Sequence, residues 1–317
     1  MTYLLLILGF TALIKGADYF VEGASGIAKL LRIPPILIGL TIVAFGTSSP
    51  EAAVSIKAAM NGNNGIALGN VVGSNIFNVS LIIGITALIN PLKVERETVK
   101  KEIPFTLLAS ILLFILILDV SLQEFTFNSI TRADGLVMMS FFAIFLYYLF
   151  EVAKHSREKM QDEIASMPRD MGKNVFFTLG GLAAIIVGGD LVVRSSTTIA
   201  YTLGMSETLV GLTIVAVGTS LPELITSITA ALKKHSEIAV GNIVGSNIFN
   251  ILFVLGASSL ISSIPVESKI YVDMSFMIGY TVILFIFSRT QHKVSRLEGA
   301  ILVMSYVIYS IYIIIRN

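Results

Sequence analysis

The sequence predicts an all-α polytopic membrane protein: ten transmembrane helices, arranged as two inverted five-helix repeats with broken helices at mid-membrane. Three observations predict it. Hydrophobic residues make up 55% of the 317 residues and charged residues only 14%, against about 25% charged in a soluble chain. The apolar residues are gathered into ten runs, most of them near the ~20 residues a helix needs to cross ~30 Å of hydrocarbon. A stretch of 53 residues also recurs at constant spacing. This composition excludes a soluble enzyme, a disordered chain and a nucleic-acid-binding protein, and the net charge of +1 carries no message about partners. With no cysteine, disulfides, thiolate metal sites and a cysteine nucleophile are excluded as well. The first basic residue is Lys15, so the first apolar run reads as a permanent span rather than a cleaved signal peptide.

The expected spans are 2–28, 35–60, 66–90, 103–120, 131–152, 174–201, 207–231, 238–262, 270–288 and 297–315. The one long polar connector, 153–173, divides the chain into a first repeat, 1–152, and a second, 174–317. With the N-terminus outside, sixteen Lys and Arg fall in inner loops and four in outer segments. That positive-inside bias predicts both termini outside a cell membrane and the connector in the cytoplasm.

Residues 37–89 align without a gap on 209–261 at an offset of 172, with 30 of 53 positions identical. Gly46-Thr47-Ser48-Ser49-Pro50-Glu51 matches Gly218-Thr219-Ser220-Leu221-Pro222-Glu223. Gly69-Asn70 and Gly73-Ser74-Asn75-Ile76-Phe77-Asn78 match Gly241-Asn242 and Gly245-Ser246-Asn247-Ile248-Phe249-Asn250. Five spans is an odd number, so the second copy enters the membrane from the opposite side and the copies are inverted. Packing alone would keep glycine and alanine alike, but not Glu, Asn, Ser and Thr inside apolar runs.

Pro50 and Pro222 each remove a backbone donor and crowd the carbonyl one turn earlier. The second and seventh spans should therefore break, freeing carbonyls around Ala44 and Ala216. The Gly73-Ser74 and Gly245-Ser246 stretches suggest similar distortions in spans three and eight. A carboxylate in hydrocarbon is costly, so Glu51 and Glu223 mark function. Inversion would gather them with the hydroxyls of Thr47, Ser48, Ser74, Thr219, Ser220 and Ser246 and the amides of Asn78 and Asn250. An all-oxygen set without His or Cys suits hard cations such as Ca2+ and Na+ rather than Zn2+ or Cu.

The paired Gly-Thr-Ser-x-Pro-Glu and Gly-Ser-Asn-Ile-Phe-Asn motifs resemble the two alpha-repeats of the sodium/calcium exchanger family, within the cation/calcium antiporter superfamily. The resemblance implies an electrogenic antiporter that trades Na+ for Ca2+ by alternating access. It implies Glu51 and Glu223 as central Ca2+ ligands shared with Na+, and carbonyls of Thr47 and Thr219 as ligands of both ions. Ser48, Ser220, Ser74 and Ser246, with the carbonyls of Ala44 and Ala216, would complete flanking Na+ sites, and Asn78 and Asn250 would sit at the centre. Some relatives carry Asp where this chain has Asn250, which weakens the case here for K+ co-transport. The ions are cargo; no cofactor, catalytic group or obligatory protein partner is implied beyond the bilayer. A Ca2+/H+ antiporter on the same fold is the alternative, and the hydroxyl-rich flanks favour sodium.

The remaining polar residues have plainer expectations. Lys15 with Asp18, and Asp190 with Arg194, can pair on one helix face. Asn75 and Asn247 should cap or bridge helices. His155, His235 and His292 fall in loops and read as solvated, the run Glu95–Glu102 as an interfacial loop, and the aromatic residues of the last span as lipid-facing or interfacial.

Overall fold

A long apolar helix with glycines on one face can bring its backbone close to a neighbour. Gly9, Gly16 and Gly23, seven residues apart, mark such a face on the first helix, α1 (Thr2–Leu31). In the computed structural model, which describes residues 2–62, 64–123, 126–159, 170–204 and 216–316, this face meets α7 (Met171–Thr202). Gly9 lies against Gly188 and Val192, Gly16 against Gly181 and Ile185, and Gly23 against Asn174 and Thr178. Numbers rise along one helix as they fall along the other, so the two run antiparallel. A Cβ on Gly188 would sit 2.7 Å from the Leu13 nitrogen, closer than any side chain tolerates. The opposite face of α1 leaves Leu4, Ile7, Leu8 and Ile14 exposed, as a surface turned to lipid requires.

The second span is a bent pair, α2 (Pro35–Thr47) and α3 (Ser49–Met60), which meet at 48°. The expected break lies where Pro50 cannot donate. There follow α4 (Gly65–Ile89), α5 (Glu102–Leu116) and α6 (Arg132–Ser156). After α7 come α8 (Ala216–Thr219), α9 (Leu221–Leu232), α10 (Ser236–Ile261), α11 (Ile270–Arg289) and α12 (Arg296–Arg316). Among the described residues seven helices are long and apolar enough to cross a bilayer, and an eighth results when the bent pair counts as one. The other two expected spans differ for separate reasons. The fourth is a helix of only 15 residues, α5. The first part of the seventh, with Gly211–Val215 of the repeat, lies outside the described residues, as do residues 160–169 of the connector.

Ser48 and Ser220, at matched places in the two breaks, have nearly the same backbone: φ −82°, ψ 7° and φ −92°, ψ 7°. The third and eighth spans depart from expectation. Gly73-Ser74 and Gly245-Ser246 lie in regular α-helix, and the distortion falls one turn later, as π-helix at Asn78–Ile82 and Phe249–Leu255. A third π segment spans Gly39–Val43. Glycine alone does not widen a helix; the side-chain bonds made by the asparagines of these turns, described below, coincide with the widening.

The chain forms two compact units, each drawing on both sequence halves: Met1–Pro50 with Tyr148–Asn242, and Glu51–Tyr147 with Ile243–Asn317. In the second unit two short antiparallel ribbons tie loops together. Leu92–Lys93 pairs with Lys293–Val294, and Ser129–Ile130 with Ile264–Pro265. Asp273 on α11 is gripped by α12: Arg316 makes two bonds of 3.0 Å to its carboxylate and the Tyr309 hydroxyl donates at 3.1 Å. Tyr309 is thus buried, not lipid-facing. Glu102, expected in an interfacial loop, is buried in the first turn of α5.

Candidate ion site

In the first unit the break after Thr47 turns two consecutive hydroxyls toward residues of the other repeat copy. Ser48 Oγ donates to Glu223 Oε1 at 2.8 Å. Thr47 Oγ1 donates to Asn242 Oδ1 at 3.0 Å, with the carbonyls of Val43 and Ala44 at 3.1 and 3.4 Å. Asn242 in turn donates to Ser227 Oγ at 2.9 Å and to the Glu223 carbonyl at 3.4 Å. Thr47, Ser48, Ser220, Glu223 and Asn242 are all buried, while Thr219 is partly exposed. Glu223 stands in the first turn of α9, where the helix dipole favours a carboxylate. Its second oxygen, Oε2, is buried without a hydrogen-bond partner.

The break does not strip the Ala44 carbonyl as expected: it accepts the Ser48 N–H at 3.0 Å. The N–H that Pro50 lacks would have met the carbonyl of Gly46, two residues further on. The backbone of Ala216 opens α8.

In the second unit Glu51 is buried in the first turn of α3. Asn70 donates to its carbonyl at 3.3 Å and to Ser55 Oγ at 2.9 Å. Ser74, Asn78, Ser246 and Asn250 are buried here too. Four asparagines form a reciprocal network across α4 and α10. Asn75 donates to the Asn247 carbonyl at 3.3 Å, and Asn247 to the Asn75 carbonyl at 3.5 Å. Carbonyls only accept, so each of these amides must present its Oδ1 elsewhere. Those oxygens accept from Asn78 and Asn250 at 3.0 and 3.3 Å. Asn75 and Asn247 are therefore helix bridges, as expected. The amides of Asn78 and Asn250 are committed as donors, and their Oδ1 atoms remain buried acceptors without partners. A buried acceptor left unmade costs about 1–3 kcal/mol, and a bare cation is the ligand that two such oxygens suit.

Asp18 and Asp190 have basic partners. Asp190 accepts from Arg194 Nε at 2.8 Å, as expected. Lys15 reaches Asp18 only at 4.0 Å, and Lys233 approaches the same carboxylate at 3.5 Å while donating to the Asp18 carbonyl. His235, expected to be solvated, is half-buried with Ser25 Oγ 3.4 Å from its Nε2. Burial holds its pKa below the usual histidine value; Lys29 and Lys233 lower it further and Glu237 opposes them. Sequence reasoning noted Asn70 and Asn242 as repeated but gave them no role; their matched Gly-Asn dipeptides were the available signal.

The profile of the family described as "Sodium/calcium exchanger protein" matches residues 1–151 and 173–315. The sodium/calcium exchanger MaX1 of Methanosarcina acetivorans is 36% identical over 341 aligned positions, covering 98% of this chain and 97% of its own. CaxA of Alkalimonas amylolytica is 40% identical, with 96% and 95% covered. A solved structure of the sodium-calcium exchanger NCX_Mj, soaked with 2.5 mM Na+ and 10 mM Sr2+, superposes with a TM-score of 0.84 at 31% identity, covering 97% of this chain and 98% of that one. With its paired motifs, its broken helices and a family match along both halves, this chain belongs to the sodium/calcium exchanger protein family.

Proposed function

We propose that the chain is a secondary antiporter that exchanges Na+ for Ca2+ across the cell membrane by alternating access. The observation that carries this reading is a set of buried oxygens on repeat-matched residues. It comprises the carboxylates of Glu51 and Glu223, one oxygen of the latter unpartnered, and the unpartnered amide oxygens of Asn78 and Asn250. Glu51 and Glu223 are the Ca2+ ligands, shared with Na+. Thr47 and Thr219 supply carbonyls to both ions, and Ser48, Ser220, Ser74 and Ser246, with the carbonyls of Ala44 and Ala216, complete flanking Na+ sites. Binding either ion neutralises buried carboxylates, which lowers the cost of moving helices around a dry site. Exchange moves net charge, so voltage acts on it at ~2.3 kcal/mol per charge per 100 mV. No covalent step is involved.

Ten spans in two inverted halves, 1–152 and 174–317, joined by a cytoplasmic connector at 153–173, complete the reading, with both termini outside. Loop pairing supports it. Strands pair only when their loops lie on one side of the bilayer, so an even number of crossings must separate them. The ribbon from Leu92–Lys93 to Lys293–Val294 joins loops separated by spans four to nine, and that from Ser129–Ile130 to Ile264–Pro265 joins loops separated by spans five to eight. The contact of Ser25 with His235 gives the same parity for spans two to seven. The antiparallel packing of α1 on α7 and the reciprocal Asn75–Asn247 bonds are what inverted copies would make.

The test is Ca2+ uptake into proteoliposomes loaded with Na+, with membrane potential clamped and unclamped, beside vesicles carrying only a pH gradient. Uptake that needs the Na+ gradient and responds to the clamp is expected. Uptake driven by the pH gradient alone would instead establish the Ca2+/H+ antiporter. Glu51→Gln and Glu223→Gln should each abolish Na+-driven uptake with protein levels intact.

A further inference from the structure

A buried primary amide that spends every polar atom on two different helices acts as a ruler between them. Asn242 is such a residue. Its Nδ2 faces Ser227 Oγ at 2.9 Å and the Glu223 carbonyl at 3.4 Å, and a carbonyl accepts only, so the amide orientation is fixed. Its Oδ1 therefore receives the Thr47 hydroxyl, at 3.0 Å the shortest of the three bonds open to that proton. Ser48, the next residue, donates to the Glu223 carboxylate. The bonds close a ring: Ser48 holds the carboxylate of Glu223 directly, and Thr47 reaches its carbonyl end through Asn242.

The neighbouring residue makes this reach possible. Gly241 brings its helix against α2 so closely that a Cβ there would lie 2.7 Å from the Ile36 carbonyl and 3.0 Å from the Gly39 Cα. The Gly-Asn dipeptide thus combines close approach with an amide. The other copy repeats the donor half with matching lengths: Asn70 donates to Ser55 Oγ at 2.9 Å and to the Glu51 carbonyl at 3.3 Å.

We infer that Asn242 is a positioning residue for ion binding: it holds Thr47 at a fixed distance from Glu223 and thereby sets the affinity for Ca2+. It touches no ion itself. The inference rests on the reading of Thr47 and Glu223 as ligands.

The experiment is a double-mutant cycle on the full chain in proteoliposomes, reading KM for Ca2+ and maximal rate of Na+-driven uptake separately. Thr47→Val deletes the hydroxyl and keeps the carbonyl; Asn242→Ala deletes the amide. Each should raise KM about tenfold, the size of one buried hydrogen bond, and the double variant should be no worse than the poorer single one. An unchanged KM in Asn242→Ala, or fold-changes that multiply, would overturn the inference. Asn242→Asp serves where the alanine variant does not fold. Its carboxylate accepts from Thr47 but cannot donate, and protonation restores one donor. Its KM should therefore approach that of the native chain as pH is lowered, and a ratio to the native chain that does not change with pH would count against the proposal. Glu223→Gln separates the two levels. Normal uptake in that variant removes the ligand reading itself, whereas a dead Glu223→Gln beside a normal Asn242→Ala removes only the inference about Asn242.

Discussion

The hydroxyl of Ser48 donates to Glu223 Oε1 at 2.8 Å, so the carboxylate of one repeat copy is steadied by the motif of the other. A hydrogen bond to a charged group contributes about 1.5–3 kcal/mol. Ser48→Ala should therefore raise the KM for Ca2+ by about ten- to a hundredfold, read from the concentration dependence of Na+-driven uptake. A change under twofold would mean that Glu223 holds its place without Ser48.

Close packing of α1 on α7 depends on glycine where the backbones cross. Gly188→Val would force a side chain against the Leu13 nitrogen and the Gly9 carbonyl. Overpacking of this kind costs about 1–3 kcal/mol. The thermal midpoint in detergent should fall by several degrees, whereas Gly180→Val, where a Cβ meets nothing, should leave it unchanged.

His235 makes stability depend on pH in a definite direction. Its folded pKa lies below about 6.5, mainly because burial disfavours the charged ring. Between that lowered value and 6.5 the unfolded chain takes up a proton that the folded chain resists, so stability falls as pH is lowered through this window. The midpoint should drop between pH 7.5 and 5.5, and less so in His235→Gln. Equal drops would show that the imidazole does not contribute.

Asp190 and Arg194 neutralise each other on an otherwise apolar helix. A single charge at the centre of a membrane helix costs about 2.5–3.5 kcal/mol on insertion scales. Asp190→Asn alone should accumulate poorly in the membrane fraction, and adding Arg194→Gln should restore both accumulation and Ca2+ uptake. If the double variant accumulates normally but transports nothing, the pair takes part in ion movement.

Much of this was legible in the sequence because it rests on local chemistry. Pro50 and Pro222 announce the breaks, and the offset of 172 pairs every motif residue. Ser48, Glu223, Asn78 and Asn250 are buried as their setting in apolar runs requires. What the sequence concealed depends on distant partners. Lys233 reaches Asp18 from 215 positions away, and Arg316, a terminal residue by number, is spent on Asp273. The π-turns fall at Asn78 and Asn250 rather than at the preceding glycines, in turns whose amides bond across helices. Glu102 looks interfacial in the sequence because five of the seven residues from Glu95 to Lys101 are charged, yet helix α5 buries it.

The asparagine quartet has a further consequence. Amides neither gain nor lose protons across the physiological range, and here none can rotate without breaking its bonds to the facing helix. Asn78 and Asn250 consequently keep their Oδ1 atoms open as acceptors, whatever the pH. The negative ends of two amide dipoles stand open there, and they would repel an anion with no formal charge needed.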